Sequence, residues 1–410
     1  MKPRAVAAVV AATASLALLA WWWTEDDALA AGRVQWLAST NAAATPAPVP
    51  APREPAASAL PGAPLSALGQ TQHLAQQQAE RALWQQRLER SQQALDAYRA
   101  AAQYPHESRP AAEHPDQLRP FAPIAEARVL RQPGGTPAQN VRLQTTQERV
   151  FASGNESLCI TVTLQDTEGR TLPLRVLRAL QKEVTAPGST PISAPFAMPM
   201  ADDGQRGDAA AGDGVFTAVM QPATQGFANF AGTVRLELNL EYQGQPGFLY
   251  FDLVYSPEVA ATWLPGVREA QSPASLDFFV KAQVLLPGRY VLSGRIDDAN
   301  GQPVAVALFN GEVAAGAVEF RLPVFGKLIR DQQPAFPLTL RDVDGFLLRE
   351  NTFPDRVMLA RRVGAVHTSK SHVPLAFSDA EWDSAERTRY LTELSKDVAE
   401  AQQQLQRLGP

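Results

Sequence analysis

Residues 201–220 read ADDGQRGDAAAGDGVFTAVM, and this run decides how the chain is interpreted. Asp202, Asp203, Gly204, Gly207, Asp208, Gly212, Asp213 and Gly214 are followed by the alternating run Val215-Phe216-Thr217-Ala218-Val219. Glycine enters positive φ without steric cost, and a short aspartate side chain bonds the amides of its own turn. Such a stretch is an ordered loop that feeds a β-strand.

The flanks carry the same signature. Residues 158–163, 172–180, 215–220, 233–242 and 248–255 read as strands, separated by turn signals such as Ser153-Gly154-Asn155 and Gly244-Gln245-Pro246-Gly247. Val234, Leu236, Leu238 and Leu240 alternate with Arg235, Glu237, Asn239 and Glu241, the period of a half-buried strand. Short strands at this spacing predict an antiparallel β-sandwich of immunoglobulin type over residues 138–257. A second sandwich is expected over 258–377, with strands at 278–285, 290–296, 304–309, 317–324 and 336–340. Asn300-Gly301 marks a hairpin there, and Asp342-Val343-Asp344-Gly345 reads as another hairpin turn. The fold class is therefore mainly β with flanking helices, built on two tandem antiparallel Ig-like sandwiches.

From Asp202 to Thr217 the pattern is D-D-G-x-x-G-D-x-x-x-G-D-G-V-F-T. It resembles the loop-and-strand signature of Ig-like domains in bacterial surface and secreted proteins, including the choice-of-anchor group, where G-D-G-V-Y-T is common. Phe216 stands where that family often has tyrosine. The resemblance covers this stretch and implies an Ig-like fold outside the cytoplasm. It implies no activity, because the fold hosts many functions.

Asp202, Asp203, Asp208 and Asp213 are candidate calcium ligands, since Ca²⁺ takes hard carboxylate oxygens. Their spacing is not that of an EF-hand loop. The competing account is that each aspartate caps a turn by accepting backbone amides. Arg206-Gly207-Asp208 is also an integrin-type tripeptide, although the Gly-Asp pair already belongs to the loop signature.

The amino terminus places the chain. Lys2 and Arg4 precede an apolar run, residues 5–23, that ends in Trp21-Trp22-Trp23 and is followed by Glu25, Asp26 and Asp27. A bilayer-spanning helix needs roughly 20 apolar residues. Basic residues before the run and a tryptophan belt after it fit an orientation with the bulk of the chain outside. Residues 1–37 thus read as a signal anchor in the inner membrane, or as a cleaved signal peptide whose Ala28-Leu29-Ala30 has the cleavage form. Either reading expects a cell-envelope location, anchored facing the periplasm or released into it.

Residues 38–64 are an Ala/Pro-rich spacer. Residues 65–103 follow as a long helix, with Trp84, Leu88, Ser91, Leu95, Tyr98 and Ala102 along one seam. That seam serves self-association through a coiled coil, or docking on the chain's own domains. Residues 104–137 read as an irregular proline-rich connector, with His106 and His114 as loop residues. Residues 378–410 form a C-terminal helix, which the box Ser378-x-x-Glu381 is expected to open. It packs on a core or pairs with the 65–103 helix.

Composition narrows the function. Charged residues make up 19% of the 410 and the net charge is −5, so no field steers the chain toward nucleic acid. Cys159, the single cysteine, makes no intrachain disulfide and reads as a small buried hydrophobe. His367 and His372, five apart, would face opposite sides of a strand, so joint ligation requires a loop. There is no G-x-S-x-G elbow, P-loop, dinucleotide fingerprint or H-E-x-x-H, and no catalytic residue is assigned. The expectation is a non-enzymatic envelope protein whose Ig-like domains bind a protein or envelope component or act as spacers. A calcium-dependent adhesion module and an envelope hydrolase with an unrecognised site are the alternatives.

Overall fold

The structure is a computed structural model that describes residues 65–131 and 137–409. The membrane or signal segment and the Ala/Pro-rich spacer lie outside the described residues. Among the described residues, no helix is long and apolar enough to cross a membrane. Among the described residues the chain is mainly β with three α-helices.

Helix α1 (Leu65–Ala101) leads into strand β1 (Ser108–Pro110). The next ten strands are β2 (Ile124–Arg131), β3 (Pro137–Gln147), β4 (Phe151–Ser153), β5 (Leu158–Asp166), β6 (Thr171–Leu172), β7 (Arg175–Glu183), β8 (Phe196–Ala197), β9 (Phe216–Met220), β10 (Gly232–Tyr242) and β11 (Gln245–Ser256). They make two sheets, β2-β3-β5-β6 with β9 added on β5, and β4-β11-β10-β7-β8. The sheets face each other across one core. Leu143, Ile160, Val162 and Leu164 come from the first, and Val234, Leu236, Leu238, Leu240, Phe251 and Leu253 from the second. Pairing is antiparallel except for β4, which runs parallel to β11.

Strand β10 shows why the pattern is readable. Val234, Leu236, Leu238 and Leu240 are all fully buried, while the residues between them face out. The β10–β11 hairpin turns at Gln243-Gly244, both at positive φ (50° and 74°). That is the backbone a two-residue hairpin requires. The strand resumes at Gln245, so the 244–247 signal is the turn plus the start of β11.

The second sandwich is formed by β12 (Ala261–Gln271), β13 (Ser275–Val284), β14 (Gly288–Asp297), β15 (Pro303–Val313), β16 (Gly316–Phe325), β17 (Thr339–Leu348), β18 (Arg356–Met358) and β19 (Arg362–Thr368), with the short helix α2 (Gly326–Gln332) after β16. Its larger sheet runs β1-β15-β14-β17-β18 with β19 beside β17, and its smaller sheet is β12-β13-β16. Phe278, Val280, Phe320 and Leu322 pack against Tyr290, Leu292, Ile296, Leu340 and Val343.

Several expectations are corrected. Residues 104–137 are not an irregular connector throughout. They contain β1, which pairs with β15 of the second sandwich, and β2, which opens the first. The first sandwich therefore begins at Ile124. The prolines flank these strands, except Pro110, which ends the edge strand β1, a place where its missing N–H is tolerated. Asp342-Val343-Asp344-Gly345 is no hairpin turn but follows a bulge inside β17: Asp342 has φ 51°, and the ladder to β19 slips between Leu340 and Arg341 and again between Arg341 and Val343. The strand expected at 336–340 starts at Thr339 and runs on to Leu348.

The tail helix α3 (Ala385–Arg407) is capped by Ser384, whose Oγ accepts the Arg387 amide at 3.0 Å. Ser378 instead accepts the Ala380 amide in a turn, so the 378–381 box does not open the helix. Helix α3 lies antiparallel along α1. Tyr98 meets Tyr390 at 5.6 Å, Arg87 meets Glu400 at 3.9 Å, and Arg81 reaches the Gly409 carbonyl. Leu95, Val398 and Ala401 are buried in this seam.

Candidate functional site

The Asp/Gly loop is anchored at its base by paired Ala201–Thr217 backbone bonds of 3.2 and 2.9 Å. Inside it the aspartates work as caps. Asp202 accepts the amides of Gly212 (2.6 Å), Asp213 (3.2 Å) and Gly214 (2.8 Å). Asp208, only 9% exposed, accepts the Gly204 amide at 2.6 Å and the Thr217 hydroxyl at 3.2 Å. Asp213 accepts the Val215 amide at 2.9 Å. Asp203 accepts the Gln205 amide and pairs with Arg206 at 2.5 Å. Gly207 explains itself: it has φ +88°, and an added Cβ would lie 3.2 Å from both Cys159 Sγ and Val219 Cγ2. The loop is thus packed onto β5 and β9.

Asp202, Asp208 and Asp213 also each bring one carboxylate oxygen within 4.8 Å of the others. Asp203 stands outside that group, tied up with Arg206. The Arg206-Gly207-Asp208 tripeptide is not presented as an adhesive tip, because its arginine is paired and its aspartate buried.

A second cluster escaped the sequence reading. Glu269 on β12 receives both histidines: His372 Nε2 is 2.7 Å from Oε1 and His367 Nε2 is 3.5 Å from Oε2. The Lys370 amide adds a bond of 3.0 Å. Burial pushes the Glu269 carboxyl up, but the bonds from His372 and the Lys370 amide, with the His367 ring close by, outweigh it and hold the group below the usual glutamate range. The opposite-face argument did not apply because β19 ends at Thr368 and His372 sits on the loop beyond. His372 is edge-on to Phe336 at 5.6 Å and to Phe377 at 6.2 Å, so the cluster clasps the 369–377 loop to the second sandwich.

A third cluster lies where the sandwiches meet. The Met358 amide donates to Ser153 Oγ at 2.7 Å. The Arg356 guanidinium sits 4.3 Å from the Phe151 ring and 4.9 Å from Phe346. Arg149 pairs with Glu156 (2.6 Å) and Glu148 (3.0 Å). Asp344 and Arg361 face this group from the second sandwich. A cavity of about 210 Å³ lies elsewhere, between the connector and the second sandwich, lined by Pro105, Glu107, Arg321, Phe325 and Trp382 among others. Arg321 is already bound bidentately to Asp277 at 2.9 and 3.0 Å.

No protein-family model and no curated protein matches the chain. Among solved structures, a DUF4785 family protein from Legionella pneumophila is 13% identical with a TM-score of 0.37, over 56% of this chain and 57% of that one. The adhesin InvE of Yersinia pseudotuberculosis is 12% identical with a TM-score of 0.18, over 52% of this chain and 58% of that one. Alpha-2-macroglobulin from Escherichia coli is 10% identical with a TM-score of 0.21, over 58% of this chain and 16% of that one. In each case this chain spans less than two thirds of the other protein, and overlaps at these scores carry no functional argument.

Proposed function

We propose that the chain is a non-enzymatic scaffold of the cell envelope, whose Ig-like sandwiches bind a protein or envelope component or hold one at a distance. The observation that carries this reading is the direct bracing of one sandwich against the other. Four residues, 257–260, link β11 to β12. The Ser153–Met358 bond, the Arg356 stack and the Arg349–Glu258 pair at 2.5 Å then restrict how the modules turn. Modules braced by side chains transmit a fixed spacing, which a flexible linker does not. Fractionation of cells tests the placement: the protein is expected with the membrane or in the periplasm, and recovery from the cytosol with residue 1 intact defeats it. Crosslinking in intact cells tests the binding role, which fails if no envelope component is captured reproducibly.

The convergence of Asp202, Asp208 and Asp213 supports a second reading, a calcium-stabilised surface module. A calorimetric titration with Ca²⁺ that gives no heat and no change in melting temperature retires it.

A further inference from the structure

We infer that β2 is a dimerisation edge, which pairs antiparallel with β2 of a second copy of this chain about a twofold axis at Ala127. Strand β2 ends one sheet of the first sandwich. It is bonded to β3 on one side, and among the described residues no strand takes its other side. Such an edge presents a row of backbone N–H and C=O groups that template another strand. Most other edges in the two sandwiches are blunted. Strands β1, β4 and β18 have three residues each, and β6 and β8 have two. Strand β9 is closed by its bonds to Ala201. Strand β12 breaks its ladder at Pro265-Gly266 and gives its Trp263 indole N–H to the Ala360 carbonyl at 2.6 Å. Strand β2 has eight residues and no proline, and it keeps one register from Ile124 to Val129.

The side chains name the occupant. Glu126 and Arg128 share one face of β2, with Arg128 Nε 2.6 Å from Glu126 Oε2, and both are half-exposed. Arg128 Nη1 also reaches the Tyr250 carbonyl at 3.1 Å, so the pair sits at the open side of the sandwich. A lone charge at such a place guards an edge by repelling its own image. Two opposite charges spaced by two residues do the reverse. With the axis at Ala127, Glu126 lies opposite the partner's Arg128, and the symmetry makes that ion pair twice. Ala125 then lies opposite the partner's Val129, and Ile124 opposite the partner's Leu130, which covers two apolar side chains, Ile124 and Val129, that are exposed in the single chain. Moving the axis to Glu126 or to Arg128 sets like charges directly opposite each other, so the charges also fix the register. The strand is its own complement in charge and in apolar position. Pairing joins the two five-stranded sheets into one and leaves α1 and its partner helix α3 untouched.

The test is disulfide crosslinking of the purified full chain in detergent micelles, in a Cys159→Ser background. On the axis, two copies of residue 127 have Cα atoms about 4.5–5.5 Å apart, which a disulfide spans. Ala127→Cys is expected to give a covalent dimer at least about tenfold faster than Thr167→Cys, an exposed position away from the edge. In chains with Cys159 and Ala127 intact, sedimentation reads the charges. Glu126→Arg turns both ion pairs into repulsions and is expected to weaken the dimer about tenfold, as is Arg128→Glu. The exchanged variant Glu126→Arg, Arg128→Glu restores it, and so does mixing the two single variants, since each then faces its opposite. Circular dichroism confirms that every variant stays folded; Ala127→Cys serves alone if a charge variant does not. Crosslinking at 127 no faster than at 167 overturns the inference. So does a dimer indifferent to single reversal, or one that neither the exchange nor the mixture restores.

Discussion

The first sandwich draws every strand from one stretch, residues 124–256, whereas the second takes β1 from the connector and packs Tyr104 and Phe377 from beyond its own strands. The Tyr104 hydroxyl donates to Asp331 at 2.7 Å, and Ser108 Oγ accepts the Phe325 amide at 2.9 Å. The cores differ too. In the second, the aromatic group Trp263, Tyr290, Phe309 and Phe320 has ring centroids 5.2–6.1 Å apart, and the Tyr290 hydroxyl lies 2.9 Å from the Ala260 carbonyl and 2.6 Å from that of Leu286. In the first, Gln181 is fully buried beside Leu236, and neither of its amide atoms has a partner. The second sandwich, which borrows one strand, builds its core around Phe320. The self-contained one holds the unpartnered Gln181 amide in its core and carries the ordered Asp/Gly loop on β5 and β9.

The contrast can be broken at several points. Phe320→Ala is expected to cost about 3–5 kcal/mol and to unfold the second sandwich first, because Phe320 is 1% exposed and central to the aromatic group. Denaturant unfolding read separately in each sandwich checks this; equal loss in both erases the distinction. Tyr290→Phe removes the one hydroxyl proton shared between the Leu286 and Ala260 carbonyls, the second of which keeps the Leu285 and Leu286 amides, and is expected to cost about 1 kcal/mol. Gln181→Met should act in the opposite direction, raising the stability of the first sandwich by about 1–2 kcal/mol. No gain would mean that Gln181 is satisfied in solution. Ser384→Ala removes the cap of α3 and is expected to cost about 1 kcal/mol, seen as lost helicity with both sandwiches intact.

The smallest effect is a pH dependence. Glu269 is held below its usual range by its histidine and amide bonds, so its contribution is present above the ordinary glutamate range. It is lost as pH falls through the lowered value. Glu269→Gln is therefore expected to lower the melting temperature at neutral pH and to make no difference in strong acid. A uniform decrease at every pH would assign Glu269 a packing role only.

Much of the fold was legible because a strand with one buried face must alternate. The runs at 233–242 and 278–285 could be read directly, and β10 and β13 lie over them. Strand β2 was missed because the prolines around it, from Pro105 to Pro137, outweighed the alternation in Ile124–Arg131. Strand β12 carries Pro265-Gly266 at the point where its ladder to β13 breaks, which hid it in the same way. The bulge in β17 imitated a turn, since Asp-x-Asp-Gly supplies positive φ in either setting. The Asp/Gly loop was legible as an ordered loop. Which aspartates converge was not, because that depends on how the loop folds over β5 and β9.

By itself the sequence determined the alternating strands, the glycine and aspartate corners, the two helices long enough to show a seam, and the absence of familiar catalytic motifs. Those features are local, set by side-chain period and backbone dihedral preference. Only the tertiary structure decided that α3 lies along α1, that Glu269 gathers two histidines, and that five charged groups meet where the sandwiches touch. Such partners are far apart along the chain, and burial selects them only once the sheets have closed.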